Sequence, residues 1–125
     1  MDEIAVSKSE LELLRILWRR SSLTLPELLA EIRGNCDWDE STVKTLLTRL
    51  VAKGAVKQEG KRRFYRYSPL LSQEEYREQA GRKLVEQAFD NDSAACVSFF
   101  VRRRDFSAAD LAELRKLLAE LEDHA

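Results

Sequence analysis

A chain of 125 residues, 44% apolar and 34% charged, holds one ordinary domain or a small domain with an appended oligomerisation segment, and two full domains are excluded by size. No window approaches the roughly 18 uninterrupted apolar residues of a membrane span, and the start MDEIAVSKSE is acidic and polar where a secretory leader is basic and then apolar, so a cytoplasmic protein without membrane insertion is expected. The net charge of -1 averages two unlike halves: residues 1–71 carry +3 and residues 72–125 carry -4, and within the first half eight Lys and Arg against two Glu give residues 40–67 a net +6. Such a cationic island on a mildly acidic chain suits a face that meets a polyanion.

In chain order, S-K-S-E places Ser7 at an N-cap and Glu10 at N3, a capping box that opens a first helix with Leu11, Leu14, Leu17 and Trp18 on its apolar side. A second box, T-L-P-E, opens another helix at Thr24, with Pro26 in its first turn, Leu28, Leu29 and Ile32 buried, and Gly34 as its stop. A third helix runs from the cap Asp39 to Gly54, and Val43, Leu46, Leu47, Leu50 and Val51 form its apolar stripe.

After Gly54 the period changes from helical to alternating, in A-V-K-Q-E and then in R-R-F-Y-R-Y-S-P. Two strands around Gly60 are predicted to form a hairpin that Pro69 ends, because proline cannot continue the ladder. Three helices and then a hairpin with a basic turn is the order of a winged helix-turn-helix, whose third helix lies in the DNA major groove and whose wing reaches phosphates.

A further capping box, S-Q-E-E, starts a long helix at Ser72 with a narrow seam of Tyr76, Ala80, Leu84, Val85, Ala88 and Phe89. Asp90 to Ser93 break it, AACVSFFV at Ala94–Val101 is strongly apolar, Arg102 to Arg104 make a cationic stop, and Ser107 caps a last helix. There Leu111, Leu114, Leu118 and Leu121 repeat at the a/d spacing of helix-on-helix packing. A stripe this far from the first core needs a partner, and a second copy of the chain supplies one economically. The fold expected is mainly α with a small β-hairpin: a winged helix over 1–71 and a helical dimerisation domain over 72–125.

The candidate DNA-binding residues follow from the chemistry of the third helix. Its exposed side carries Ser41, Thr42, Thr45 and Thr48, short enough to let a backbone approach base edges, with Lys44 and Arg49 as flanking cations for phosphate or guanine. Lys61, Arg62 and Arg63 in the wing turn complete the set.

The runs WDESTVKTLLTRLVAKGAV at Trp38–Val56 and RRFYRYSPLLSQEEY at Arg62–Tyr76 resemble the penicillinase repressor (BlaI/MecI/CopY) family, and the likeness extends from ELELLRILW at Glu10 to LAELRKLL at Leu111. The resemblance implies a repressor that binds, as a homodimer, a palindromic double-stranded DNA operator overlapping its own promoter or that of a resistance or stress operon. The resemblance implies a C-terminal dimerisation domain, and the apolar seam, the apolar stretch and the a/d stripe put Tyr76, Leu84, Phe89, Phe99, Phe100, Leu111, Leu114, Leu118 and Leu121 at the expected contact. The copper-responsive branch carries paired C-terminal CxC motifs that this sequence lacks. The β-lactam branch is released when a membrane-bound metalloprotease sensor cuts before a Phe. The corresponding bond here is Phe99–Phe100, with Phe99 in place of the family's Asn.

Two other functions compete. Cys36 and Cys96 are isolated, with neither CxxC nor CxC beside them, so no metal site or cofactor is expected, and a direct metal- or redox-sensing repressor would have to use these two thiols. The winged helix could also serve as a protein-interaction adaptor. An enzyme is not expected, since the single histidine, His124, adjoins the C-terminus and no nucleophile-base pair or phosphate-cradling loop is present.

Overall fold

The computed structural model describes residues 3–124. Its elements are α1 (Lys8–Arg20), β1 (Leu23–Thr24), α2 (Leu25–Ile32), α3 (Glu40–Lys53), β2 (Val56–Glu59), β3 (Arg66–Pro69), α4 (Gln73–Phe89), α5 (Ser93–Arg102) and α6 (Ala108–Asp123). The chain divides into two compact units, Met1–Gln79 and Ala80–Ala125. Helix α4 starts in the first and continues into the second. Among the described residues no helix is long and apolar enough to cross a membrane.

In the first unit, the polar punctuation sets the helix starts. The Ser7 and Thr24 side chains accept from the backbone of Glu10 and Glu27, which reach back to the cap N–H groups, and Asp39 accepts from the Thr42 N–H. Gly54, at φ +81°, ends α3 in the left-handed conformation that costs a residue without a Cβ least. Helix α2 ends earlier than the sequence suggests, at Ile32 with Arg33 as its cap; Gly34 is not in the left-handed region. The core gathers Leu13, Leu14, Ile16 and Leu17 of α1, Leu28 and Ile32 of α2, and Val43, Leu46, Leu47 and Leu50 of α3. Leu13 and Ile16 thus join the expected face, while Leu11 and Trp18 stay half-buried at its margin.

The hairpin is a three-stranded antiparallel sheet in the order β1-β3-β2. Leu23 and Thr24 pair with Tyr67 and Arg66, and Val56 to Glu59 pair with Pro69 back to Arg66. The second long strand therefore begins at Arg66, later than the alternating run starting at Arg62, because Arg63 adopts φ +76° and interrupts the extended backbone. Residues 60–65 form the wing turn. Gly60, at φ +101°, sits where an added Cβ would lie 2.7 Å from the Phe64 carbonyl oxygen, and the Phe64 N–H donates to the Lys61 carbonyl at 2.8 Å.

An ion pair between a buried carboxylate and a partly exposed ammonium joins the two ends of this unit's helical layer. Glu10, 1% exposed, receives the Lys53 ammonium at 2.6 Å and the Ser7 N–H at 2.8 Å on Oε1, while Lys53 also donates to the Ala5 carbonyl. The Glu10 Oε2 is buried with no partner among the described residues. Burial raises the carboxyl pKa, but the bonds from Lys53 and Ser7 outweigh it and hold Glu10 below the ordinary range.

The second unit contains α5, α6 and the later turns of α4. Asp90 and Asn91, both at positive φ, make the break before Asp92 caps α5. Phe89 and Phe99 pack at 5.7 Å between ring centroids, Phe99 meets Phe100 edge-on at 5.2 Å, and the Arg103 guanidinium lies over Phe99. Cys96 is buried, and α6, capped by Ser107, has no buried residue.

Candidate nucleic-acid interface

Because Val43, Leu46, Leu47 and Leu50 seat α3 on the core, the helical period turns Ser41, Thr42, Lys44, Thr45, Thr48 and Arg49 outward, and all six are exposed. Lys61, Arg62 and Arg63 are exposed on the wing turn. The cationic island sorts into groups by partner. Lys53 is committed to Glu10 and Arg66 to Ser22 and Glu27, so both act inside the fold. Lys44 lies 3.9 Å from Glu40 and Lys57 3.1 Å from Glu59, in exposed pairs that water and salt screen. Arg49, Lys61, Arg62 and Arg63 have no ion-pair partner among the described residues. They are the cations available to an external anion.

The hydroxyls have a defined arrangement too. Ser41 donates to Asp39 at 2.9 Å, Thr45 to the Ser41 carbonyl and Thr48 to the Lys44 carbonyl, so three donor hydrogens are used locally, and each hydroxyl oxygen keeps capacity to accept. The Thr42 backbone N–H and then the Ser41 hydroxyl hold the Asp39 carboxyl below its usual range, keeping it charged at the helix start.

Helix α3, the wing and the start of α2 border an open cleft of about 610 Å³ that Lys44, Thr48 and Arg63 line together. Thus the structure joins residues of the two basic elements on one concave face of the first unit. Gln58, Tyr65, Tyr67, Leu25 and Pro26 also line it, and sequence reasoning did not single these out. The available signal was alternation: Tyr65 and Tyr67 share one face of the extended chain, and the β2–β3 register sets Gln58 opposite Tyr67. Burial, then the neighbouring Tyr65, pushes the Tyr67 phenol up, which keeps it a neutral donor.

The chain matches the penicillinase repressor family over residues 6–120. It belongs to that family. The match fits a winged-helix repressor family, whose members are transcriptional repressors and not enzymes. Among the relatives of this penicillinase repressor family chain are the penicillinase repressor of Bacillus licheniformis, 26% identical over 115 residues covering 92% of this chain and 90% of that one, and the methicillin resistance regulatory protein MecI of Staphylococcus aureus strain N315, 25% identical over 113 residues covering 90% and 92%. The solved monomeric form of Bacillus licheniformis BlaI in complex with the blaP half-operator is similar with a TM-score of 0.53 and 31% identity, over 61% of this chain and 94% of that one.

The residues expected at a dimer seam occupy different settings. Tyr76 packs against Trp18 at 5.7 Å on the core of the first unit, so its ring is engaged within the chain. Leu84 is exposed, Phe89 and Phe100 are half-buried, and Phe99 is exposed. On α6, Leu111 and Leu114 are half-buried, whereas Leu118 and Leu121 are 59% and 69% exposed. Val97, Val101 and Leu117 add exposed apolar surface that the a/d spacing alone did not identify. Cys36 is half-buried in the first unit and Cys96 buried in the second.

Proposed function

We propose that this chain is a DNA-binding transcriptional repressor that engages a two-fold operator as a homodimer. Helix α3 enters the major groove, the wing grips phosphate, and the second unit carries the dimer contact. The observation that carries this reading is the concave face lined together by Lys44 and Thr48 of α3 and Arg63 of the basic wing, with the rest of the exposed, acid-free side of α3 continuing from it. The operator-bound Bacillus licheniformis relative supports it. In this reading Thr42, Thr45 and Arg49 read bases, and Lys44, Lys61, Arg62 and Arg63 supply grip. The controlled genes belong to a resistance or stress operon, and the protein acts in the cytoplasm.

Release by a membrane-bound metalloprotease sensor would act on the Phe99–Phe100 bond. That bond lies inside α5, so a protease reaches it only after the helix opens locally.

Anisotropy titrations against duplexes tiling the promoter upstream of its own gene test the proposal. One duplex should bind far more tightly than the rest, and Arg49→Ala should cost about 1–3 kcal/mol on that duplex, while Arg62→Ala weakens all duplexes alike and reduces the salt slope. Wild-type affinity in Arg49→Ala would remove the groove assignment.

A further inference from the structure

The cleft between α3 and the wing has a composition that phosphate contact alone does not require. Phosphate oxygens need cations, and Lys44 and Arg63 provide them from two elements. The same space has an aromatic lining: Tyr67 is 9% exposed and Tyr65 half-buried, with Gln58 as the polar group across the strand pair. Pro26 supplies an apolar wall, and no carboxylate lines the space. The volume falls within the roughly 300–1,000 Å³ of small-molecule sites, and a mostly apolar or aromatic lining with a few placed polar groups is what such sites present.

The geometry points to a binding site for a flat aromatic anion of the aryl carboxylate class, its ring on Tyr65 and Tyr67 and its carboxylate between Lys44 and Arg63. Arg63 has no ion-pair partner among the described residues, so its guanidinium can take a carboxylate without first releasing another. Lys44 has only the long, exposed contact with Glu40 to give up. The inference includes a consequence that rests on the DNA-binding reading: the ligand occupies cations and a helix face that the duplex also needs, so the two exclude each other and the anion acts as an inducer.

Calorimetry on the full chain with naphthalene-2-carboxylate as probe tests the site without DNA. The carboxylate should bind about tenfold or more tightly than naphthalene-2-carboxamide and than cyclohexanecarboxylate, and Arg63→Gln and Lys44→Gln should each weaken it by about tenfold. Arg33→Gln, an exposed cation outside the cleft, should leave it unchanged. Absence of binding at millimolar probe, equal binding of acid and amide, or wild-type binding in Arg63→Gln would overturn the site. In the anisotropy titration the probe should multiply the apparent duplex Kd by a factor of one plus the probe concentration over the probe's own Kd. Calorimetric binding with an unmoved duplex Kd overturns the exclusion. Calorimetric binding by a chain that binds no duplex sinks the DNA reading and leaves the site, and duplex binding without any calorimetric signal does the reverse.

Discussion

Glu10 and Lys53 lie 43 residues apart, and their contact links the first turn of α1 to the last turn of α3. Removing one partner of a buried pair strands the other charge, a loss of about 3–5 kcal/mol. Lys53 keeps 35% of its side chain exposed, so Lys53→Met should cost the lower figure, about 3 kcal/mol, in urea unfolding at neutral pH. The pH dependence follows from the direction of the Glu10 shift. Its native pKa lies below the ordinary 4.5, so its stabilisation is complete above that value and is lost as pH falls from there through the native value. Wild type and Lys53→Met should therefore converge in stability in acid, and a gap that does not shrink as pH falls from 4.5 to the acid limit would show that Glu10 is not its source. In the sequence Glu10 was legible only as the N3 partner of Ser7. Its burial and its lysine depend on tertiary packing that local spacing does not encode.

At the level of elements, α3 was read correctly because its cap, its stripe and its terminal glycine are all local signals. The wing was read less well. Its alternation extends from Arg62, but left-handed φ values at Gly60 and Arg63 reserve residues 60–65 for the turn. Strand β1 escaped notice because two residues make no pattern, and its partners Arg66 and Tyr67 lie more than 40 positions away. The turn makes its own demand. An alanine at Gly60 meets both the left-handed penalty and the Phe64 backbone oxygen, so Gly60→Ala should destabilise the first unit by about 1–3 kcal/mol. Thermal unfolding at wild-type temperature in that variant would show that the turn relaxes freely. On the candidate site, outward residues of α3 were legible from the helical period. The cleft itself was not, because α2, α3 and the wing, up to about 40 residues apart in the chain, line it together, although the alternation of Tyr65 and Tyr67 was visible.

Across the whole chain, the sequence suggested a boundary after residue 71, and compactness divides the chain after Gln79. Tyr76 illustrates the difference, since its ring packs against Trp18 although it lies on the first turns of α4. On α6 the exposed Leu117, Leu118 and Leu121 make an apolar ridge without a partner in the described chain, of the kind that contact with another protein covers. The double variant Leu118→Glu/Leu121→Glu should sediment as a monomer at tens of micromolar, where the proposed wild-type dimer should persist, with the near-ultraviolet tryptophan signal retained. A monomeric wild type at tens of micromolar would assign the ridge to another partner. If the ridge pairs two copies, as proposed, it also sets how the cell's supply of protein translates into control. Where free chains are mostly single, the pool of paired molecules follows the square of their number, so halving expression cuts that pool roughly fourfold. A modest loss of chains then lifts repression steeply, before most of the protein has gone.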